Sequence, residues 1–207
     1  MSATIRKKST LLSVLMASVF GLALSIQSHA EEYISAYGGK GLNHNFMELP
    51  GVVLQGDVDF EPSWMAAVSY KHDCATLEWI ESLGVTAYCE SILVKHWGLQ
   101  HQWEADLAYQ LVSPRWAVSA VNLQIAAAMG GSYAFGTPEY EDGSVSNPEK
   151  RYRFLNFNAY DFIVKPRNHE WYAFMRIHHR SGIYGLVAPR NVGSNFFSLG
   201  LSFPLSN

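Results

Sequence analysis

In several short stretches of this chain every second residue is apolar, a period that confines them to β-strands with one apolar and one polar face. In Trp103–Leu111 the odd positions are Trp103, Ala105, Leu107, Tyr109 and Leu111, and the even ones are Glu104, Asp106, Ala108 and Gln110. Near the C-terminus Phe197, Leu199, Leu201 and Phe203 share one face, while Ser198, Gly200 and Ser202 share the other. A soluble sandwich alternates too, with its apolar face inward, so alternation alone leaves a sandwich and a lipid-facing barrel both open.

The N-terminus favours the barrel. Arg6, Lys7 and Lys8 precede an uncharged apolar stretch from Leu11 to Ile26, and Ser28-His29-Ala30 places small residues where a signal peptidase reads. We expect residues 1–30 to be a signal peptide cleaved after Ala30, with an uncleaved anchor as the alternative. The remaining residues, 31–207, would form one β-barrel domain. The signal takes three of the 15 basic residues and none of the 18 acidic ones, so the net charge moves from −3 to −6. An acidic chain without a polybasic face is not expected to bind nucleic acid. No later segment is long and apolar enough for a transmembrane helix.

Eight candidate strands fall at 32–40, 63–72, 85–95, 103–112, 122–133, 152–165, 170–181 and 195–203. Connections after strands one, five and seven are long, and those at Ser113-Pro114-Arg115 and Pro166-Arg167-Asn168-His169 are short. Long external loops, short periplasmic turns and an even strand number give the expected class: an all-β, eight-stranded antiparallel barrel in the cell outer membrane. Odd strands then run outward. Such a barrel is filled by its own side chains, so a diffusion pore is not expected. The long connector 74–84 fits less well; Asp73 is expected to cap a helix running through Leu83 and ended by Gly84. The chain also continues past Phe203 as Pro204-Leu205-Ser206-Asn207, where many such barrels end on an aromatic. Cys74 and Cys89 read as two free buried thiols, with a disulfide as the alternative. His96-Trp97 reads as part of an interfacial aromatic belt.

Little else in the sequence suggests chemistry. There is no Gly-rich phosphate loop or cysteine array. His169-Glu170 lacks a second histidine at metalloprotease spacing, and Asp57 and Asp59 lack a calcium ladder. No cofactor or metal is expected. Strand seven is the exception. Its odd residues run Trp171, Ala173, Met175, Ile177, His179, Ser181; its even residues run Tyr172, Phe174, Arg176, His178, Arg180. The odd row should meet lipid, which puts an imidazole and a hydroxyl side by side near the outer leaflet. Interfacial polar residues without chemistry are the competing reading.

His179-Arg180-Ser181, at the end of the penultimate strand and followed by a Gly-containing loop and a final amphipathic strand, resembles the outer-membrane lipid A 3-O-deacylases (PagL-like acyloxyacyl hydrolases). The resemblance covers the C-terminal third; the rest agrees in length, signal and strand count. It implies Ser181 as nucleophile and His179 as base, acting without a metal on an ester-linked acyl chain of lipid A. Backbone N–H groups around Gly182 would receive the oxyanion, and Arg180 or Arg190 would meet lipid A phosphates, with a solvated rim charge as the alternative for either. The expected partners are lipid A, as lipopolysaccharide, and outer-membrane lipids. Two positions depart from the family. Its carboxylate at the start of the last strand is replaced here by Gly193-Ser194-Asn195, so Asn195 is expected to orient His179; and Gly182 stands where these enzymes commonly have asparagine. A catalytically silent barrel with a lipid-binding or structural role is the alternative.

Overall fold

The computed structural model describes residues 31–44, 46–141, 150–189 and 192–205. The expected signal peptide, Arg190 and the last two residues, Ser206 and Asn207, lie outside them. Eight strands carry the fold: β1 Tyr33–Leu42, β2 Phe60–Asp73, β3 Thr86–Gly98, β4 Trp103–Val112, β5 Val121–Phe135, β6 Phe154–Pro166, β7 Tyr172–Ser181 and β8 Gly193–Pro204. Each pairs antiparallel with its sequence neighbour. β1 also pairs with β8, from Tyr33↔Pro204 to Gly41↔Phe196, so the eight strands close into a barrel.

The alternation is inverted relative to a soluble protein. On β4, Trp103 and Leu107 are 48% and 69% exposed, whereas Glu104 and Asp106 are 0% and 1%. Apolar outside and polar inside removes the sandwich: water would oppose such a surface, and lipid favours it. Aromatics gather towards the ends of the outer wall, with Trp64, Trp97, Trp103, Phe135 and Phe154 at the long-loop end and Tyr70, Trp116 and Phe203 at the other. Lys40 and Lys95, also outward, lay their ammonium groups over Trp64 and Trp103.

The lumen is filled. Arg176 at mid-barrel forms a two-point pair with Asp161 (2.7 and 2.8 Å) and donates to both oxygens of Glu90 (3.1 and 3.0 Å). Lys71 donates to Gln110 at 2.8 Å and to Tyr172 at 3.1 Å, and Gln110 donates to Asp161 at 2.8 Å. Towards the long loops, Glu104 accepts from His178 at 2.8 Å and from His96 at 3.0 Å, and Arg180 contacts Glu141, Ser132 and the Arg153 carbonyl. Tyr140 donates to the Leu42 carbonyl at 2.9 Å and packs on Phe196, drawing the loop after β5 over this end.

Four expectations are corrected. Cys74 and Cys89 are bridged, with Cα atoms 5.5 Å apart; Cys89 sits near the start of β3 and Cys74 just past the end of β2, where the paired strands bring them together. The helix in that connector is only Glu78–Glu81, with Leu77 rather than Asp73 at its N-cap, and Gly84 follows it at φ +73°. His96 is not in the aromatic belt: alternation turns it into the lumen, and only Trp97 faces outward. After Ser113-Pro114-Arg115 the chain forms a short extra strand, Trp116–Val118, that hairpins onto Val121–Leu123 through Ser119 at φ 50°.

Candidate functional site

One cluster of polar side chains on the outer wall lies where β6, β7 and β8 run side by side. β6, β7 and β8 bring Asn156, Asn158, His179, Ser181 and Asn195 onto outward rows at the long-loop end, amid Phe154, Tyr160, Ile177 and Phe197. A continuous row of facing residues runs Trp97–Trp64–Lys40–Phe197–Ile177 across five strands, and His179 and Asn195 lie two residues beyond it towards the loops. The parity read from the sequence holds: His178 and Arg180 are in the lumen, while His179 and Ser181 are outside.

His179 and Asn195 are brought together. They are backbone partners across β7–β8, and His179 Nδ1 lies 2.7 Å from Asn195 Oδ1. Asn195 Nδ2 donates to the His44 carbonyl at 2.8 Å. Those two bonds fix protons. A carbonyl only accepts, so the amide must turn its NH2 to His44 and its oxygen to the ring; Nδ1 must then carry the hydrogen, leaving the Nε2 lone pair free. This is the tautomer a general base needs, and the one lost when a triad acid is exchanged for an amide free to rotate. Phe46 stacks on the His179 ring at 4.5 Å between centroids and on Tyr160 at 5.2 Å. Stacking covers a ring face, whereas the Nε2 lone pair lies in the ring plane.

Ser181 is on the same outward row but is not joined to His179 by a hydrogen bond among the described residues. Its backbone partners are Gly193 and Asn156. Among the backbone N–H groups around Gly182, that of Gly182 is donated to the Val192 carbonyl at 3.1 Å and is not free to receive an oxyanion. An added Cβ at Gly182 would lie 2.4 Å from the Ala188 carbonyl oxygen, which explains why the loop after β7 needs glycine there. Arg180 cannot meet a lipid phosphate, being buried in the lumen against Glu141 and Ser132. Ser194 also points inward, its hydroxyl 3.3 Å from Glu141.

His44 and Phe46 were not legible as site residues, because nothing in a long loop says which strand it will fold onto. Asn156 and Asn158 were readable as outward polar positions on β6, but only the register places them opposite Ser181 and His179. Two groups have metal-ligand spacing among the described residues. In one, Cys74 and Cys89 are bonded to each other. The other, Glu104, Asp106 and His178, lies in the lumen behind the wall that carries His179.

No family model matches the chain, and no curated protein matches it. Similar solved structures include the outer membrane enzyme PagL, at 16% identity and TM-score 0.58, covering 84% of this chain and 99% of that one. Neisserial surface protein A is 8% identical with TM-score 0.47, covering 84% and 98%. Ail, the attachment invasion locus protein of Yersinia pestis, is 11% identical with TM-score 0.25, covering 85% and 100%. At such identities the likeness shows the fold, an eight-stranded barrel of the outer-membrane kind, and nothing finer.

Proposed function

We propose that the chain is an outer-membrane lipid A deacylase that removes an ester-linked acyl chain from the outer leaflet, exported with residues 1–30 removed. One observation carries the reading: the polar cluster on the outer wall of β6, β7 and β8 holds an imidazole in the tautomer of a general base, on the same row as a serine. Polar groups facing lipid carry a desolvation cost and are functional candidates for that reason. PagL, whose fold this chain shares, is an outer membrane enzyme, and the His-x-Ser resemblance points the same way.

In the proposed reaction His179 Nε2 takes the Ser181 hydroxyl proton as Oγ adds to the ester carbonyl carbon. The tetrahedral intermediate expels the sugar oxygen, which receives that proton from Nε2, and the acyl group remains on Ser181. Water, deprotonated by His179, attacks the acyl-serine; the fatty acid leaves and Ser181 regains its proton. Asn195 keeps Nδ1 protonated and the ring oriented. As an amide it adds no negative charge to stabilise the imidazolium, so turnover should be slower than with a carboxylate.

A silent lipid-binding barrel is the second reading, favoured by the missing Ser181–His179 hydrogen bond. Incubating purified protein with lipid A in detergent decides between them: ester loss that disappears in Ser181→Ala supports the hydrolase, and no ester loss supports the silent barrel.

A further inference from the structure

At the long-loop end of the lumen, Glu104 and Asp106 on β4 and His178 on β7 turn towards one another. All three are at most 1% exposed. His178 Nε2 lies 2.8 Å from Glu104 Oε1 and 3.8 Å from Asp106 Oδ2, and one donor atom from each residue falls within 4.8 Å of the other two. Donors held at about 2.0–2.2 Å by one tetrahedral ion stand about 3.3–3.5 Å apart, so both histidine distances are within about 0.5 Å of that spacing. Two further observations point to a ligand. Neither oxygen of Asp106 has a hydrogen-bond partner among the described residues, and neither has His178 Nδ1; a buried carboxylate left so is costly. The charges also fail to balance. Midway down the lumen Arg176 and Lys71 offset Glu90 and Asp161, whereas at this end, among the described buried residues, Glu104, Asp106 and Glu141 have only Arg180. Arg180 lies against Glu104 and Glu141, which leaves Asp106 without a cation.

We propose that Glu104, Asp106 and His178 bind one divalent metal ion of zinc-like preference, which braces the loop end of the barrel. An imidazole with two carboxylates suits zinc better than calcium or magnesium, which favour oxygen donors throughout. On binding, the His178 proton moves from Nε2 to Nδ1, and Nε2 turns its lone pair to the ion in place of the bond to Glu104. Glu104 Oε1 and Asp106 Oδ2 take two further positions, and water completes the shell. Nδ1 has no partner in either state, so the change of tautomer costs no bond there. His96 lies 3.0 Å from Glu104 Oε2, with Gln100 Nε2 3.0 Å from its other ring nitrogen; it is a positioning residue that holds the carboxylate from behind. Two added positive charges cancel the excess of the carboxylates. The ion would also join β4 to β7, strands that share no ladder. Its role is structural and independent of the hydrolase reading.

The test refolds the full chain from urea into detergent micelles with Zn²⁺ or with a chelator. After dialysis, elemental analysis should find one zinc per chain, and the zinc-loaded chain should have the higher urea midpoint. Asp106→Asn and Glu104→Gln keep the side-chain volume and should lose both the zinc and the zinc-dependent part of the midpoint. His179→Ala, on the outer wall, should keep both. His96→Ala should weaken zinc binding by about 10–100-fold; a merely structural His96 would instead lower the midpoint equally with and without zinc. Each variant is first checked for the band shift on boiling that a folded barrel shows. Should neither carboxylate variant fold, X-ray absorption at the zinc edge of the native chain decides: one imidazole among oxygen donors supports the site, and no imidazole or several overturns it. No zinc above the chelator-treated level would mean that protons, not an ion, neutralise the cluster, and overturns it. So does zinc retained in Asp106→Asn, or zinc lost in His179→Ala. None of these readouts involves ester cleavage, so the metal site and the hydrolase reading fail separately.

Discussion

His178 and His179 are consecutive in the chain and belong to different solvents. His178 is sealed in the lumen and donates to Glu104, which also accepts from His96; its surroundings are charged and dense. His179, one residue on, stands on the lipid face with the Asn195 amide beside it and Phe46 over its ring. The 180° step between successive strand residues accounts for the whole difference. Lumen polarity is spent on filling and holding the barrel, whereas the few polar groups outside have no structural task of that size. The same residue type thus serves stability on one face and is available for chemistry on the other.

The largest expected effect sharpens that contrast. Ser181→Ala or His179→Ala should reduce lipid A deacylation by about 10³-fold or more while the barrel folds. His178→Ala should keep most of the activity and lose stability, measured by urea unfolding in micelles. An essential His178 beside a dispensable His179 would reverse the assignment of the two faces.

Next comes the lumen itself. Arg176→Met leaves Glu90 and Asp161 buried together without their cation, and breaking a buried pair in this way costs about 3–5 kcal/mol. The urea midpoint should fall steeply. A fall no larger than that of an outer-wall substitution such as Leu107→Ala would mean the lumen network contributes little.

Much of this was legible from the period of the sequence. Glu104 and Asp106 against Leu107 and Tyr109 gave strand β4 and its two faces. The odd and even rows of β7 gave the correct sides for His178, His179, Arg180 and Ser181. What alternation could not give was which face met lipid, since a sandwich has the same pattern; burial of Glu104 and exposure of Leu107 answered that. It also said nothing about partners distant in sequence. The disulfide depends on register between β2 and β3, the His44 carbonyl on how the first loop folds back, and the inward turn of Ser194 on the phase of β8.

Asn195 gives an intermediate effect. Asn195→Ala should lower turnover about tenfold, because the ring loses the partner that sets its tautomer, a fraction of the loss seen when a triad loses its orienting acid. Asn195→Asp tests the bridge more finely. A carboxylate normally favours the imidazolium, but here its second oxygen would face the His44 carbonyl in place of an amide donor. The gain expected of an acid should therefore be withheld, and activity should stay at or below that of the native chain. A strong rise in Asn195→Asp would show that the His44 contact does not set the amide.

The smallest effect is on pH. Burial lifts the Glu141 carboxyl from 4.5 to about 7, against the pull of Arg180. Between these values the folded chain holds a proton that the unfolded chain has released. The stability Glu141 contributes is therefore present below about pH 4.5 and is lost as pH rises through 7. Glu141→Gln should flatten the fall in urea midpoint over that window; an unaltered slope would assign the dependence to other groups.

The central claim is that the lipid-facing row of β7, and not the lumen, carries the chemistry. Mass spectrometry of lipid A incubated with the purified native chain, Ser181→Ala and His178→Ala tests it most directly. Expected is loss of one ester-linked acyl chain with the native protein and with His178→Ala, and intact lipid A with Ser181→Ala. Intact lipid A in all three, or acyl loss that persists in Ser181→Ala, would contradict it.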